Sequence, residues 1–268
     1  MNIEEYMFVA DADEKAHGRF SESSVDHICA QMMKIGAVGF NGIFATEFID
    51  QLYSAYVEQY ESDRPDVQAN EVGDRRRQAV TRLENPFDNN NLLSNSYLTP
   101  VLQHLLGDDY ILASSVLVTS YPGAKDQHIH RDYPPLFDDY DICNTMPTYA
   151  VTLSIPLVLL SPLTGTTRVY PGTHHNNSTD EGPPTLGNSI SVLPDYGGCY
   201  LFDAQVRHGG TANLSDLFRP ILYLVFARSW WRDAYNFGCV HPVNIGASSL
   251  AGLSDGTRRL FRFCTPTG

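Results

Sequence analysis

The chain has 268 residues, 43% of them hydrophobic and 18% charged, a globular composition that excludes a disordered polymer. Lys and Arg number 18 against 31 Asp and Glu, giving a formal net charge of −13. That charge repels phosphate backbones and anionic lipid surfaces, and so argues against nucleic-acid and membrane partners. No apolar run approaches the roughly 18 residues of a membrane span. The acidic start MNIEEYMFVADADEK lacks the charged-then-apolar layout of a signal peptide. Cys29, Cys143, Cys199, Cys239 and Cys264 are scattered, odd in number and without CxxC spacing, which argues against a disulfide framework and a Cys-based zinc site. A reducing, cytoplasmic setting is the expectation.

The first third reads helical. Ser21 to Ser24 offer N-caps for a helix whose apolar residues Val25, Ile28, Cys29, Met32 and Met33 follow helical spacing. A second helix is expected to start at a Thr46 N-cap, with Phe48, Ile49, Leu52, Tyr53, Tyr56, Val57 and Tyr60 as one apolar stripe for core packing. Residues 62–96, with DRRRQ and NPFDNNN, read as a long polar excursion that either covers a site or is a solvated loop. From about residue 110 short β-rich runs follow: YILASSVLVTSY, YAVTLSIPLVLL, TRVYP, SISVLP, CYLFDA and ILYLVFARSWW. Turn residues separate them, which argues for a sandwich or barrel with helices packed on it.

The chemistry-bearing stretch is Gln127-His128-Ile129-His130-Arg131-Asp132. On a strand, alternate residues share a face, so His130 and Asp132 can hold one metal, with His128 as a rival ligand. His208, in VRHGGTAN, is the best third ligand. Two His and one carboxylate with open positions is the arrangement of non-haem Fe(II) oxygenases. HxD alone is weak, because a hydrogen-bonded structural His is commoner. Arg219 follows His208 by 11 residues and opens an apolar strand. A guanidinium there is costly to bury unless it meets an anion, and its fork suits a carboxylate; a surface Arg on a turn is the bland alternative. Thr164-Gly165-Thr166-Thr167-Arg168-Val169-Tyr170-Pro171-Gly172-Thr173-His174 reads by itself only as a hairpin rich in hydroxyls.

Taken in order, QHIHRD, TGTTRVYPGTHH, GGCYLFDAQVRHGGTANLS and Arg219 resemble the phytanoyl-CoA dioxygenase family of Fe(II)/2-oxoglutarate oxygenases, from about residue 35 to 230. Within it, the chain looks nearest to fungal-type tailoring enzymes of secondary metabolism. The resemblance implies a double-stranded β-helix (jelly roll, cupin-like) core with N-terminal helices packed on it. It implies one domain over 1–268: a mainly helical part at 1–108, the jelly roll at 109–235 and a C-terminal extension at 236–268. His130, Asp132 and His208 match the iron triad, and Arg219 the arginine that grips the distal carboxylate of 2-oxoglutarate. Gln127 matches a polar residue beside the keto-acid end, and Thr167 a threonine that supports the co-substrate. The family's usual Asn-Gly is Thr164-Gly165 here, which leaves the role of Thr164 open. His174 and His175 are expected to shape the turn. Relatives that halogenate lack the carboxylate of HxD, and Asp132 is present.

The expected reaction takes Fe(II), 2-oxoglutarate and O2, and oxidises an aliphatic C–H of a small terpenoid, alkaloid or polyketide by hydroxylation, desaturation or rearrangement. Tyr121, Tyr133, Phe137, Tyr140, Trp230, Trp231 and Tyr235 are candidate pocket aromatics, and PPLFDDYD a candidate lid. A homodimer is the expected assembly. The alternatives are a hydroxylase of an acyl-thioester or amino acid, a non-catalytic jelly-roll binder, and a zinc hydrolase.

Overall fold

The computed structural model describes residues 3–61, 69–175, 186–237 and 242–267. Along the chain run β1 (Met7–Val9), α1 (Ala12–His17), α2 (Glu22–Ile35), β2 (Ala37–Asn41), α3 (Thr46–Tyr56), β3 (Ala69–Glu71), β4 (Arg76–Val80), β5 (Arg82–Leu83), α4 (Asn90–Leu93), α5 (Leu98–Leu106), β6 (Ile111–Ser120), α6 (Tyr140–Thr145), β7 (Ala150–Pro156), β8 (Thr167–Val169), β9 (Ile190–Ser191), β10 (Cys199–Asp203), β11 (His208–Gly210), β12 (Arg219–Ala227), β13 (Asn244–Ile245), α7 (Ala247–Gly252) and α8 (Asp255–Arg258).

Helix α2 begins where Ser21 Oγ accepts the Ser24 N–H, and ends at Gly36, whose φ of 86° suits a residue without Cβ. Val25, Ile28, Cys29, Met32 and Ile35 form its buried face, while Met33 is exposed, contrary to the stripe read from sequence. Helix α3 begins at Thr46, but Ala45 holds the cap position and no side chain caps it. A tertiary bond from Phe44 N–H to the Gly197 carbonyl (2.8 Å) fixes the approach to α3 instead. Ile49, Leu52, Tyr56 and Tyr60 are buried, Phe48 and Tyr53 pack against the core, and Val57 faces out. Each buried apolar side chain contributes about 1.5–3 kcal/mol.

An eight-stranded sheet runs in the order β1-β2-β10-β7-β12-β6-β4-β3, and a second sheet in the order β11-β8-β9. The outer face of the large sheet, with Leu117, Leu153, Leu201, Leu222 and Leu224, shares one core with α2, α3 and α5. Leu253, Leu260 and Phe261 from the C-terminal segment join that core, and β13 pairs with β5. Between the sheets, Val169, Ile190 and Val192 bury against Tyr200 and Phe202. This is a mainly β jelly roll with helices on one face.

The first third is less helical than its periodicity suggests: β1, β2, β3 and β4 all belong to the large sheet. AVGFN is too short and too uniformly buried to show a period. Part of the 62–96 excursion is likewise sheet, since β4 pairs with β6 over five residues; residues 62–68 lie outside the described residues. Among the described residues, no helix is long and apolar enough to cross a membrane.

Candidate metal centre

The inner face of the large sheet carries the site. Strand register sets four rows across it. Phe202, Thr152, Val225 and Ser114 form the first, and Tyr200, Ser154, Tyr223 and Val116 the second. Pro156, Ile221, Val118 and Gln78 form the third, and Arg219, Ser120 and Arg76 the fourth.

The HxD stretch is not the regular strand that alternation suggested. His130 makes an isolated bridge to His208. Gln127 N–H donates to Gly210 O (2.8 Å) and His130 N–H to His208 O (2.9 Å), so three steps of one chain face two of the other. That extra residue is a bulge, which stops the ladder and re-aims the side chains around it.

His130, Asp132 and His208 nonetheless converge. One ligand atom from each lies within 4.8 Å of the others, and among the described residues this group closes at three. Asp132 Oδ1 stands 3.4 Å from His208 Nε2 and 4.0 Å from His130 Nε2. His130 Nδ1 donates to His128 O (2.9 Å) and His208 Nδ1 to Val206 O (3.0 Å). A carbonyl can only accept, so both Nδ1 atoms carry the proton and both Nε2 lone pairs face the carboxylate. Thr152 Oγ1 donates to Asp132 Oδ2 (3.4 Å), leaving Oδ1 toward the imidazoles. Two neutral imidazoles and one carboxylate, open on one side, fit a divalent iron-type cation. His128 lies beside this group, with its ring centroid 5.0 Å from that of His130, but outside the three.

Electrostatics follow the geometry. Burial works against the charged Asp132, yet the two imidazoles and the Thr152 hydroxyl outweigh it and hold the carboxyl below its ordinary range. Burial also opposes a charged His208, but the Asp132 carboxylate raises it. His130 is lowered by burial and by the neighbouring His208.

Arg219 is buried at the other end of the face. Nη1 donates to Thr164 O and Thr211 O (3.0 Å each) and Nη2 to Ser120 Oγ (2.6 Å), while Nε has no partner among the described residues. A buried, unpaired N–H on a charged group is costly, and its edge is free for a carboxylate. Gly165, with φ of 78°, lies against this guanidinium, and a Cβ there would overlap Ala212 O and Arg219 Nη1. Thr164 therefore offers Arg219 its carbonyl, and its hydroxyl turns back to Ser161 N–H (2.8 Å).

Sequence reasoning missed Arg76, taken there as part of a polar run. It is 2% exposed, and its Nε shares Ser120 Oγ with Arg219 (2.9 Å). Nη2 clasps Gly210 O and Thr211 O (3.4 and 2.8 Å). Burial, then the charge of Arg219, push Arg76 down to about 10. RRQAV carries no alternation that could have marked it as a strand. Gln127 spans the site: its Nε2 donates to Val72 O (3.0 Å) and its Oε1 accepts the Gly210 N–H (2.9 Å). Thr167 lines the cavity and its Oγ1 pairs with Tyr200 OH (2.8 Å).

The triad, Gln127, Thr167 and Gly210 border a cavity of about 500 Å3. Tyr133 and Tyr235 line it, as do Tyr223 and Phe202, which sequence reasoning did not single out. Trp231 stands behind Tyr133, with ring centroids 4.7 Å apart. Tyr121 instead donates to the Glu61 carboxylate (3.1 Å), and Phe137 and Trp230 are exposed. The Tyr140 side chain lies outside the described residues. In the expected lid, Asp139 caps α6 by accepting the Asp141 and Ile142 N–H groups. His174 and His175 both direct Nε2 at Met33 O (3.0 Å), away from the triad.

Relatives of the chain point the same way. It is 31% identical over 133 residues to "Dioxygenase FrzG" of Cladobotryum sp, covering 45% of this chain and 42% of that protein. It is 31% identical over 112 residues to "Dioxygenase aneA" of Aspergillus aculeatus, covering 41% and 37%. With "Dioxygenase cdmA" of Talaromyces verruculosus it shares 29% over 161 residues, 57% and 47% of the two chains. The matches thus span less than half of each curated relative. Among solved structures, the non-heme alpha ketoglutarate dependent epimerase SnoN from nogalamycin biosynthesis superposes with a TM-score of 0.62 at 15% identity, over 78% of this chain and 82% of that one. A SnoN complex with Fe3+, alpha ketoglutarate and nogalamycin RO gives 0.62 at 13% identity, over 84% and 94%. These two likenesses concern the fold. The phytanoyl-CoA dioxygenase (PhyH) family model matches residues 16–221, most of the chain, which therefore belongs to that family.

Proposed function

We propose that this chain is an Fe(II)/2-oxoglutarate-dependent dioxygenase that oxidises an aliphatic C–H of a small organic molecule. The observation that carries the reading is the triad itself: two Nε2 lone pairs and one carboxylate oxygen facing one point beside a large cavity. His130, Asp132 and His208 would hold the iron. When bound, iron with 2-oxoglutarate and O2 supplies oxidative decarboxylation coupled to oxidation of the substrate. The chain orients these partners. Arg219 offers its free Nε edge to the distal carboxylate, and Arg76 adds a second buried positive charge behind Ser120. Gly210 lies two residues beyond His208 on β11, and a Cβ there would stand 3.5 Å from Arg219 Nη2 and from Arg76 Nε. Two strand residues span about 6–7 Å, the scale of a short diacid. Tyr133, Phe202 and Tyr223 exclude water around the reacting centre.

The relatives' names support a dioxygenase, and the nogalamycin context of SnoN supports a natural-product substrate, here a terpenoid, alkaloid or polyketide. A single domain over 1–268, a cytoplasmic setting and a homodimer belong to the same proposal. The test is anaerobic visible absorption with Fe(II) before and after 2-oxoglutarate. A weak charge-transfer band that needs both, and fades in Asp132→Ala and Arg219→Ala, is expected. Bound iron without a band on adding 2-oxoglutarate would overturn the co-substrate assignment.

A further inference from the structure

On the proposed function the cavity divides into two lanes. Arg219 projects from β12 and its guanidinium is clasped by carbonyls on the side of Thr164 and Thr211, so the co-substrate lane follows β11 from the triad to that guanidinium. The lane over β6 and β4 is left for the substrate. Its floor is Val116 and Val118, with Val225 beside them on β12.

Two polar groups interrupt this floor. Ser114, 1% exposed, lies in the row with Thr152, which holds the metal-ligand carboxylate. Gln78 lies beside Val118, on the neighbouring strand. Both face the cavity, and neither side chain has a hydrogen-bond partner among the described residues. From Ser114 to Val118 is four residues, about 13 Å along the strand. The arginine at the cavity is already engaged, and the cavity's acid outside the triad is held by backbone. Arg131 donates to Gln205 O and Thr173 O, and Asp233 accepts the Tyr235 and Asn236 N–H groups. No free cation in this lane would offset the desolvation of a substrate's negative charge.

We infer that the substrate is a largely apolar molecule without negative charge that lies on Val116 and Val118 and is read at its far end by a hydrogen bond between one of its oxygens and Gln78, with Ser114 marking the end where oxidation occurs. The inference rests on the proposed function. It disfavours the acyl-thioester and the amino acid, whose phosphates or carboxylate would find no free cationic side chain along this floor. A site that holds an unpaired amide discriminates strongly against ligands lacking the matching group, because that amide is then buried without a partner.

The test is calorimetric titration of the protein loaded with Mn(II) and N-oxalylglycine, a redox-inert metal and an inert keto-acid analogue. The probes are androstane-3,17-dione, androstan-17-one, etianic acid and decanoyl-CoA. The dione is expected to bind at least tenfold tighter than the mono-ketone, the acid or the thioester. In Gln78→Leu and Gln78→Glu that preference of dione over mono-ketone should shrink to under threefold, with N-oxalylglycine titration reporting an intact co-substrate site in each variant. Equal or tighter binding of the charged probes, an unchanged dione preference in Gln78→Leu, or no binding of either ketone to the loaded protein would overturn the inference. Failure of Mn(II) or N-oxalylglycine to bind the wild type would instead overturn the proposed function, and the inference with it.

Discussion

His130 and His208, 78 residues apart in sequence, exchange both backbone hydrogen bonds at 2.9 Å in each direction. Directly opposed residues of an antiparallel pair project their side chains from one face, which brings the two imidazole centroids to 4.5 Å. The bridge, more than either imidazole, fixes the spacing of the nitrogen donors.

Asp132 completes that pair, and removing it leaves two neutral donors. Asp132→Ala is expected to lower Fe(II) affinity by more than the roughly 10–100-fold typical of losing an outer partner of a metal ligand. Iron retained after dialysis and succinate released per protein should fall together. Iron retention equal to the wild type would exclude Asp132 as a ligand.

Arg219 and Gly165 form one unit. Truncating one partner of a buried charge pair costs about 2–5 kcal/mol, so Arg219→Ala should weaken 2-oxoglutarate binding by roughly 30-fold or more. Gly165→Ala should do the same without removing a charge, because its Cβ would overlap Arg219 Nη1 and its φ of 78° disfavours any side chain. Direct titration with 2-oxoglutarate reads both; a Gly165→Ala protein of normal affinity would show that the guanidinium has room to shift.

Gln127 is placed to hold backbone together. Its amide ties Val72 O to the Gly210 N–H, two residues past His208. Gln127→Leu keeps the volume and loses both bonds, leaving a peptide N–H and a carbonyl less well paired. The expected cost is about 1–3 kcal/mol of stability, together with weaker metal binding, checked by denaturant midpoint and metal titration. A loss of 2-oxoglutarate affinity with stability and metal binding unchanged would assign Gln127 to the co-substrate alone.

Glu14 gives the acid limit of the N-terminal segment. Burial alone would raise its carboxyl, but hydrogen bonds from Ser24, the Ser21 N–H and the Asp11 N–H hold it at about 2, against an ordinary 4.5. A folded-state value below the unfolded one stabilises fully above about pH 4.5, and this is lost as pH falls toward 2. The contribution at neutral pH is on the order of 2 kcal/mol. Wild type should therefore lose more stability than Glu14→Gln between pH 6 and pH 3 in urea titrations. Parallel losses would sink this assignment.

Much of this was legible in the residues. Long runs such as YILASSVLVTSY and ILYLVFARSWW read as strands because ten consecutive residues carry a signal, and Ser21 read as a cap because its hydroxyl acts locally. The order of QHIHRD, VRHGG and Arg219 named the candidate ligands because metal and carboxylate chemistry restricts residue type. What tertiary structure alone decided is pairing. Nothing near DRRRQ announces that Arg76 lies opposite Ser120 in the fourth row, or that AVGFN slots between β1 and β10. The bulge between Gln127 and His130 is set by two carbonyls on β11, more than 75 residues away, so the strand alternation expected there never forms. Residue type and local period are properties of short segments, whereas register, burial of a charge and the emptiness of a hydrogen-bond donor depend on which distant backbone arrives beside it.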